Sequence, residues 1–338
     1  MPDEAELERL LSEPVPAVVD ALAADEGDIV LLGAGGKMGP SLARLAVRSL
    51  RDAGRRNQVV AVARFSNGEL RAGLEADGVR TIQCDLVDGA QLAALPDAPN
   101  VIYMVGQKFG TSGDEARTWG LNAWVPGAVA ARYAHSNIVA FSTGNVYPLT
   151  STDSAGPSES DATGPVGEYA QSTLARERVL EFFSRRNGTP MAILRLNYAI
   201  EPRYGVLRDI ADRVRAGEPI DIGMGMVNVI WQRDANAIAL RALGACSSPP
   251  LVLNVTGRPA VSVRWLAEQF GQRWGIEPRF EGTEAATALL SDASRMEAMF
   301  GKPDVALAAM LTLVAEWVEG GGRSLNKPTQ FTSREGRF

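Results

Sequence analysis

Closely spaced glycines near the start of the chain are the strongest chemical signal in the sequence. An apolar run at 29–32 leads into these glycines, and apolar residues then recur at helical spacing from 42 to 50, which predicts a strand, a tight turn and a helix. Glycines in such a turn permit positive φ angles and let a pyrophosphate approach backbone N–H groups, where the helix dipole favours negative charge. A dinucleotide site is predicted, with an ordinary βα turn as the alternative. The residues of this predicted site are Gly33, Gly35, Gly36, Lys37, Met38 and Gly39.

The end of the second predicted strand, 58–63, indicates which dinucleotide the site would bind. Arg64 follows this strand, and no acidic residue stands where a carboxylate would bind the adenosine 2′-hydroxyl. Because the guanidinium group suits a 2′-phosphate, the sequence predicts NADP(H) rather than NAD(H). The alternative is that Arg64 stacks on the adenine or points to solvent.

Composition excludes several classes of function. The 338 residues are 46% hydrophobic and 22% charged, with a net charge of −6, which argues against a nucleic-acid partner. No apolar run approaches a membrane span, and the acidic N-terminus is unlike a signal peptide, so a cytoplasmic protein without membrane contact is predicted. His135, Cys84 and Cys246 are too few and too scattered for a metal site or a Ser-His-Asp triad.

Strands and helices alternate as far as residue 198 and then give way to shorter elements. The predicted fold is α/β, a Rossmann-type doubly wound parallel sheet with a smaller C-terminal α/β substrate lobe. We predict a helical extension at 1–27, a dinucleotide-binding domain at 28–198, a lobe at 199–320 interleaved with the sheet, and a polar tail at 321–338 that is mobile or clasps a partner. Ligands of such sheets lie at strand ends, here Val105, Gly106, Gln107 and Lys108 after the fourth strand.

Taken in order, these features resemble the extended short-chain dehydrogenase/reductases, the NAD-dependent epimerase/dehydratase family. The resemblance spans about residues 28–320. Besides the glycine turn, its motifs are Asp85-Leu86, which would contact the adenine, Ser142-Thr143-x-x-Val146-Tyr147, and Tyr169 at the start of a Tyr-x-x-x-Lys motif. The resemblance implies that Tyr169 donates or removes the proton of a substrate hydroxyl beside the nicotinamide, and that Thr143 hydrogen-bonds the same oxygen.

The position of the family lysine is occupied by Thr173. A phenol with an ordinary pKa of about 10 is ionised to only about one part in a thousand at neutral pH, so it is a poor base but a competent acid. This departure favours carbonyl reduction over alcohol oxidation. From their sequence positions, Lys37 and Lys108 are candidates to replace the missing charge.

A second departure concerns the substrate. Where sugar-nucleotide members of the family carry arginines for the diphosphate, this chain has Val227 and Gly282, the latter beside Glu281 and Glu284. A smaller, non-nucleotide polar substrate is therefore expected. The predicted substrate contacts are Gln107, Lys108 and Arg203.

These observations predict an NADP(H)-dependent oxidoreductase that reduces a carbonyl of a small molecule. Two alternatives stay open: an NAD-dependent epimerase or dehydratase, and a dinucleotide-binding scaffold or sensor without catalysis. The resemblance also implies a homodimer formed through helices at about 113–135 and 167–187, with Trp124, Phe182 and Phe183 as candidate contacts.

Overall fold

The computed structural model describes residues 3–108, 110, 113–327 and 329–336, so the ends of the predicted N-terminal extension and tail and residue 328 lie outside the described residues. The strands are β1 Ile29–Leu32, β2 Val59–Ala63, β3 Arg80–Gln83, β4 Asn100–Tyr103, β5 Asn137–Thr143, β6 Thr150–Ser151, β7 Met191–Leu196, β8 Ala199–Ile200, β9 Pro219–Asp221, β10 Met226–Val227, β11 Ile230–Trp231, β12 Leu251–Val255, β13 Val261–Ser262, β14 Arg279–Glu281 and β15 Thr287–Ala288.

The helices are α1 Glu4–Leu10, α2 Pro16–Ala23, α3 Gly39–Asp52, α4 Gly68–Ala76, α5 Gly89–Ala93, α6 Glu115–Trp119, α7 Val125–Arg132, α8 Gly167–Asn187, α9 Val206–Ala216, α10 Gln232–Ala242, α11 Val263–Trp274, α12 Ser294–Phe300 and α13 Leu307–Glu319. A π-helical turn, Gly120–Trp124, joins α6 to α7.

A parallel sheet of seven strands in the order β12-β7-β5-β4-β1-β2-β3 forms the centre of the molecule. The four residues of β1 are all buried, as expected for a parallel strand covered by helices on both faces. The strand order reverses at β1, which pairs with β2 on one side and β4 on the other. Ligands of doubly wound sheets bind where the order reverses, at the carboxyl ends of the strands. The predicted Rossmann-type fold is confirmed.

Helices cover the two faces of the sheet and a separate lobe has its own core. One sheet core includes residues of α2, α3 and α10, whereas the opposite one includes residues of α7 and α8. The lobe core includes residues of α9, α11 and α13. The boundary predicted at 198 is not sharp: β12 pairs with β7 of the sheet, and α10 packs on α3. The chain therefore enters the lobe, returns to the sheet, and enters the lobe again.

Both ends of the chain pack on the molecule itself. In the N-terminal extension, Leu7 lies in the lobe core and Val18 in the sheet core, so α1 and α2 connect the two. In the described part of the tail, the Leu325 N–H donates to the Arg203 carbonyl at 3.0 Å. Arg334 Nη1 donates to the Thr287 carbonyl at 2.7 Å. These contacts fix the tail against its own chain. Within the described residues, no helix combines the length and apolar character needed to cross a membrane.

Candidate functional site

The glycine turn at the end of β1 has the geometry of a phosphate-binding loop. Gly33 has a φ of +93°, and a Cβ at this position would lie 2.7 Å from a methyl carbon of Val105. A Cβ on Gly39, where α3 begins, would overlap the carbonyl group of Ala34. The first N–H groups of a helix have no partner within it. Glycine at both positions avoids these collisions and lets the turn pack closely against the start of α3, where a pyrophosphate could meet the N–H groups, so the turn fits a dinucleotide.

A cleft of about 340 Å³ opens above this turn. Its walls are the turn, the ends of β4, β5 and β7, the first turn of α8, the start of α9 and part of the tail. The site residues predicted from the sequence that line it are Gly33, Gly36, Lys37, Met38, Gly39, Val105, Gly106, Lys108, Thr143 and Tyr169. The fold thus brings the glycine turn and the predicted acid–base pair into one cleft.

Tyr169 and Thr143 contact each other across this cleft wall. Thr143 ends β5, Tyr169 lies in the first turn of α8, and their side chains are hydrogen-bonded. The Asn145 side-chain amide also donates to Thr143 Oγ1, at 3.0 Å. Burial raises the pKa of the Tyr169 phenol, and this effect outweighs the opposing hydrogen bonds and the positive charge of Arg176. The phenol is consequently held in its protonated form at neutral pH.

Arg176 is the cation whose charge lowers the pKa of Tyr169, and sequence reasoning missed it. The guanidinium is buried, with Nη1 donating to the Phe141 carbonyl at 2.6 Å and Nη2 to Asn122 Oδ1 at 3.1 Å. Thr173, at the lysine position, instead donates its hydroxyl to the Tyr169 carbonyl at 2.8 Å. Arg176 follows Tyr169 by seven residues, two helical turns, so helical spacing was the signal that could have found it.

A buried network of polar side chains connects the end of β5 to α8. Ser142 Oγ donates to Glu177 Oε1 at 2.5 Å, and the Glu177 carboxylate pairs with Arg195 at 2.7 Å. Arg195 also donates to the Tyr147 hydroxyl at 2.6 Å. Because Ser142 directly precedes Thr143, the network links the position of Thr143 to α8, which carries Glu177 and Tyr169.

A sequence model described as NAD dependent epimerase/dehydratase family matches residues 29–245, well over half of the chain. The chain belongs to this family. No curated protein shows a significant match to the sequence.

Solved structures share the fold of this family member. Pal from Bacillus thuringiensis has a TM-score of 0.73 at 18% identity, over 87% of this chain and 99% of that one. UDP-glucuronic acid 4-epimerase from Bacillus cereus, in complex with NAD, has a TM-score of 0.71 at 18% identity, with the same coverage. The enzyme WbmG from Bordetella bronchiseptica, in complex with NAD and UDP, has a TM-score of 0.71 at 18% identity, over 90% and 99%.

Four residues predicted to bind the dinucleotide in this family member lie at the same sheet edge without lining the cleft. Arg64 is exposed after β2, and Asp85 and Leu86 follow the adjacent strand β3. A Cβ on Gly35 would lie 3.1 Å from Ala63 Cβ at the end of β2. Their positions are those predicted for the adenosine end of the dinucleotide, which stays a prediction.

The structure places only one of the three predicted substrate contacts in the cleft lining, and their roles stay predictions. Lys108 lines the cleft, but Gln107 does not, and its backbone N–H donates to Asn122 Oδ1 at 2.8 Å. Arg203 lies outside the cleft, 7% exposed, where it pairs with Glu201 at 3.0 Å and Glu8 at 2.7 Å. Its charge is already compensated by carboxylates, one of them from α1. Sequence distance hid the pairing with Glu8, which lies 195 residues from Arg203.

Several residues that line the cleft were not predicted as site residues from the sequence. Tyr198 has a φ of +43°, a strained conformation for a non-glycine residue of the kind that clusters at functional sites. The further polar residues that line the cleft are Asn145, Asn197, Tyr204, Lys327 and Thr329. Lys327 and Thr329 belong to the tail, so the tail forms part of the site. Within the described residues, no group of His, Cys, Asp and Glu side chains could hold a metal ion.

Proposed function

We propose that this chain binds a pyridine dinucleotide on the glycine turn and carries out redox-coupled chemistry at a hydroxyl- or carbonyl-bearing carbon. The observation that carries the proposal is the hydrogen-bonded pair of Tyr169 and Thr143 in the wall of the cleft that also contains the turn. A phenol and a hydroxyl that lie side by side in a cleft wall can both hydrogen-bond to the same substrate oxygen.

The residues that would hold the dinucleotide come from two adjacent strand ends. Backbone N–H groups between Gly33 and Gly39 would bind the pyrophosphate, while Val105 and Gly106 after β4 would continue the contact along the cleft. When bound, such a cofactor accepts or returns a hydride. Its identity is proposed as NAD, which two solved structures of similar fold hold. NADP is the alternative, and Arg64 at the end of β2 is what favours it.

In this reaction the side chains of the protein would bind one substrate oxygen and transfer one proton. Tyr169 would give its phenolic proton to that oxygen during reduction and take it back during oxidation, while the Thr143 hydroxyl fixes the oxygen in place. Arg176 acts on the phenol through its charge, which makes loss of the proton easier than burial alone would allow. It therefore takes over the electrostatic part of the role that the family lysine has.

Two reaction types fit this arrangement. Transient oxidation followed by return of the hydride, as in epimerases and dehydratases, is the first candidate because the chain belongs to that family. Net reduction of a carbonyl is the second candidate, and the raised pKa of Tyr169 favours it because a protonated phenol is an acid. The two differ in whether reduced cofactor is consumed.

The experiment is a titration of the purified protein with NAD, NADH, NADP and NADPH, followed by turnover assays on small hydroxy and keto compounds. Absorbance of the reduced cofactor measures net reduction, and chiral chromatography measures epimerisation. Tyr169→Phe should lower kcat by about a hundredfold or more while leaving dinucleotide affinity unchanged. A matched control is Tyr133→Phe, which removes a hydroxyl bonded to the Pro96 carbonyl outside the cleft lining and should keep full activity.

Two outcomes would overturn the proposal. If none of the four dinucleotides binds, the glycine turn has another role. If Tyr169→Phe turns over as fast as the unchanged chain, the pair with Thr143 does not perform the chemistry. Tight dinucleotide binding without turnover of any compound would favour the scaffold or sensor alternative.

A further inference from the structure

Three of the chain's four lysines meet in the candidate cleft. The sequence has 34 basic residues, of which only Lys37, Lys108, Lys302 and Lys327 are lysines. Lys37 comes from the glycine turn, Lys108 follows β4, and Lys327 belongs to the tail. The fourth, Lys302, is exposed in the segment between α12 and α13, away from the cleft lining. Three distant segments thus bring lysine to one place in a chain that otherwise uses arginine.

The carboxylates whose charges act on the lysine cluster (Lys37, Lys108 and Lys327) lie outside the described cleft lining and have partners of their own. Among the described residues that line the cleft there is no Asp or Glu. The carboxylates that act on the cluster are Glu201 and Asp209. Glu201 already pairs with Arg203 at 3.0 Å, and Asp209 accepts two hydrogen bonds from Thr329, at 2.8 Å and 2.5 Å.

Burial acts on Lys37 and Lys108, and the charges of the other two lysines of the cluster act on Lys37. Burial lowers the pKa of Lys37 well below its ordinary value, and the charges of Lys108 and Lys327 lower it further. Burial also lowers the pKa of Lys108, to about 8. Lys37 Nζ lies 2.8 Å from the ring centroid of Tyr204, a neutral partner that compensates charge only weakly. An anion placed among these ammonium groups would relieve the repulsion.

The tail holds its lysine in a defined position. Before Lys327, the Leu325 N–H donates to the Arg203 carbonyl at 3.0 Å. After it, Thr329 is bonded to Asp209, and the Thr329 carbonyl accepts from Lys108 Nζ at 3.2 Å. These contacts on both sides place the exposed side chain of Lys327 at the cleft.

We propose that Lys37, Lys108 and Lys327 together bind an oxyanion of the substrate, a carboxylate or a phosphate, and that the tail therefore determines substrate specificity. The proposal rests on the proposed function, since it assigns the substrate class of the same cleft. The cluster lies on the side of the cleft formed by the start of α9 and the tail, and Lys37 contacts Tyr204, which itself lies close enough to Tyr169 to interact electrostatically. This position beside the acid–base residue assigns the cluster to the substrate.

Calorimetric titration with sulfate and, separately, with acetate tests the site without requiring turnover. Sulfate stands for a phosphate group and acetate for a carboxylate, and the tighter of the two identifies the preferred oxyanion. The protein is saturated with NADH so that the glycine turn is occupied. Lys327→Met should weaken binding of the preferred anion about tenfold or more, whereas the matched control Lys302→Met should leave it unchanged.

Measuring the NADH affinity of the same proteins distinguishes a failure of this inference from a failure of the proposed function on which it rests. If Lys327→Met binds the anion more weakly but keeps its NADH affinity, the result supports a substrate site. The inference is overturned if Lys327→Met and Lys302→Met bind the anion with equal affinity, or if Lys327→Met lowers the affinity for NADH instead of that for the anion. Should the unchanged chain not bind NADH at all, the proposed function fails, and the same titration of the dinucleotide-free protein still decides whether the lysines bind an oxyanion.

Discussion

Replacing Glu177 by Gln should destabilise the protein by about 3 kcal/mol, because it leaves a buried guanidinium without its counter-charge. Glu177 and Arg195 are 2% and 4% exposed, and the carboxylate accepts from Arg195 Nε at 3.0 Å and from Nη2 at 2.7 Å. Breaking a buried pair of this kind costs about 3 to 5 kcal/mol. Gln keeps a carbonyl acceptor but no charge, which places the expected cost at the lower end.

The assay is urea unfolding followed by tryptophan fluorescence, with the free energy of unfolding taken from midpoint and slope. Glu181→Gln is a matched control on the same helix, since Glu181 pairs with Arg185 at 2.9 Å but both side chains are solvent-accessible. It should cost at most about 1 kcal/mol. The double replacement Glu177→Leu with Arg195→Met should be milder than Glu177→Gln, because it leaves no charge unpaired. If Glu177→Gln costs no more than Glu181→Gln, the reasoning about the buried pair is refuted.

Four further predictions concern the cleft and the outer helices. Gly33→Ala, at a φ of +93°, should weaken dinucleotide binding about tenfold or more in a titration, and unchanged affinity would contradict the role of the turn. Arg176→Met should raise the pKa of Tyr169 further and shift the pH profile of activity to higher pH; an unchanged profile would mean that the arginine has only a structural role. Sulfate affinity should fall as pH rises through about 8, because burial lowers the pKa of Lys108 to about 8 and its ammonium is charged only below that value; equal affinities one unit to either side would contradict this. We also propose that the chain dimerises through the face on which Phe182 is 56% exposed, so Phe182→Asp should halve the mass measured by light scattering, and an unchanged mass would exclude that face.

The fold, and the placement of Thr143 and Tyr169 in one cleft, could be predicted because their signals are local. The glycine turn lies within seven consecutive residues, and the strand on one side and the helix on the other have their own periodicities. Thr143 and Tyr169 could be found because motifs fix their places at a strand end and a helix start. Arg176 could have been predicted in the same way, because it follows Tyr169 by two helical turns and therefore lies on the same face of the helix.

The rest of the site depends on contacts between distant segments, for which a single sequence carries no signal. Arg203 was predicted to bind substrate because nothing in the sequence shows that Glu8, 195 residues earlier, neutralises it. The tail was predicted to be mobile or to clasp a partner because its composition is glycine-rich and polar. Its docking depends on single polar contacts, such as Arg334 to the Thr287 carbonyl at 2.7 Å, which leave no pattern in composition or periodicity.

The electrostatics of the cleft assign different tasks to its two kinds of cation. The chain carries a net charge of −6, yet the described residues lining the cleft include cations and no carboxylate, so the local field opposes that of the molecule and attracts anions. The Arg176 guanidinium donates to the Phe141 carbonyl and to Asn122 Oδ1, which suits a charge held in a fixed place near Tyr169. Lysine is a compact ammonium whose pKa responds to burial, so an entering anion would favour the charged forms of Lys37 and Lys108. We therefore propose two separate tasks, with Arg176 acting on the phenol and the lysine cluster binding the substrate, in a chain that has Thr173 where the family motif predicts lysine.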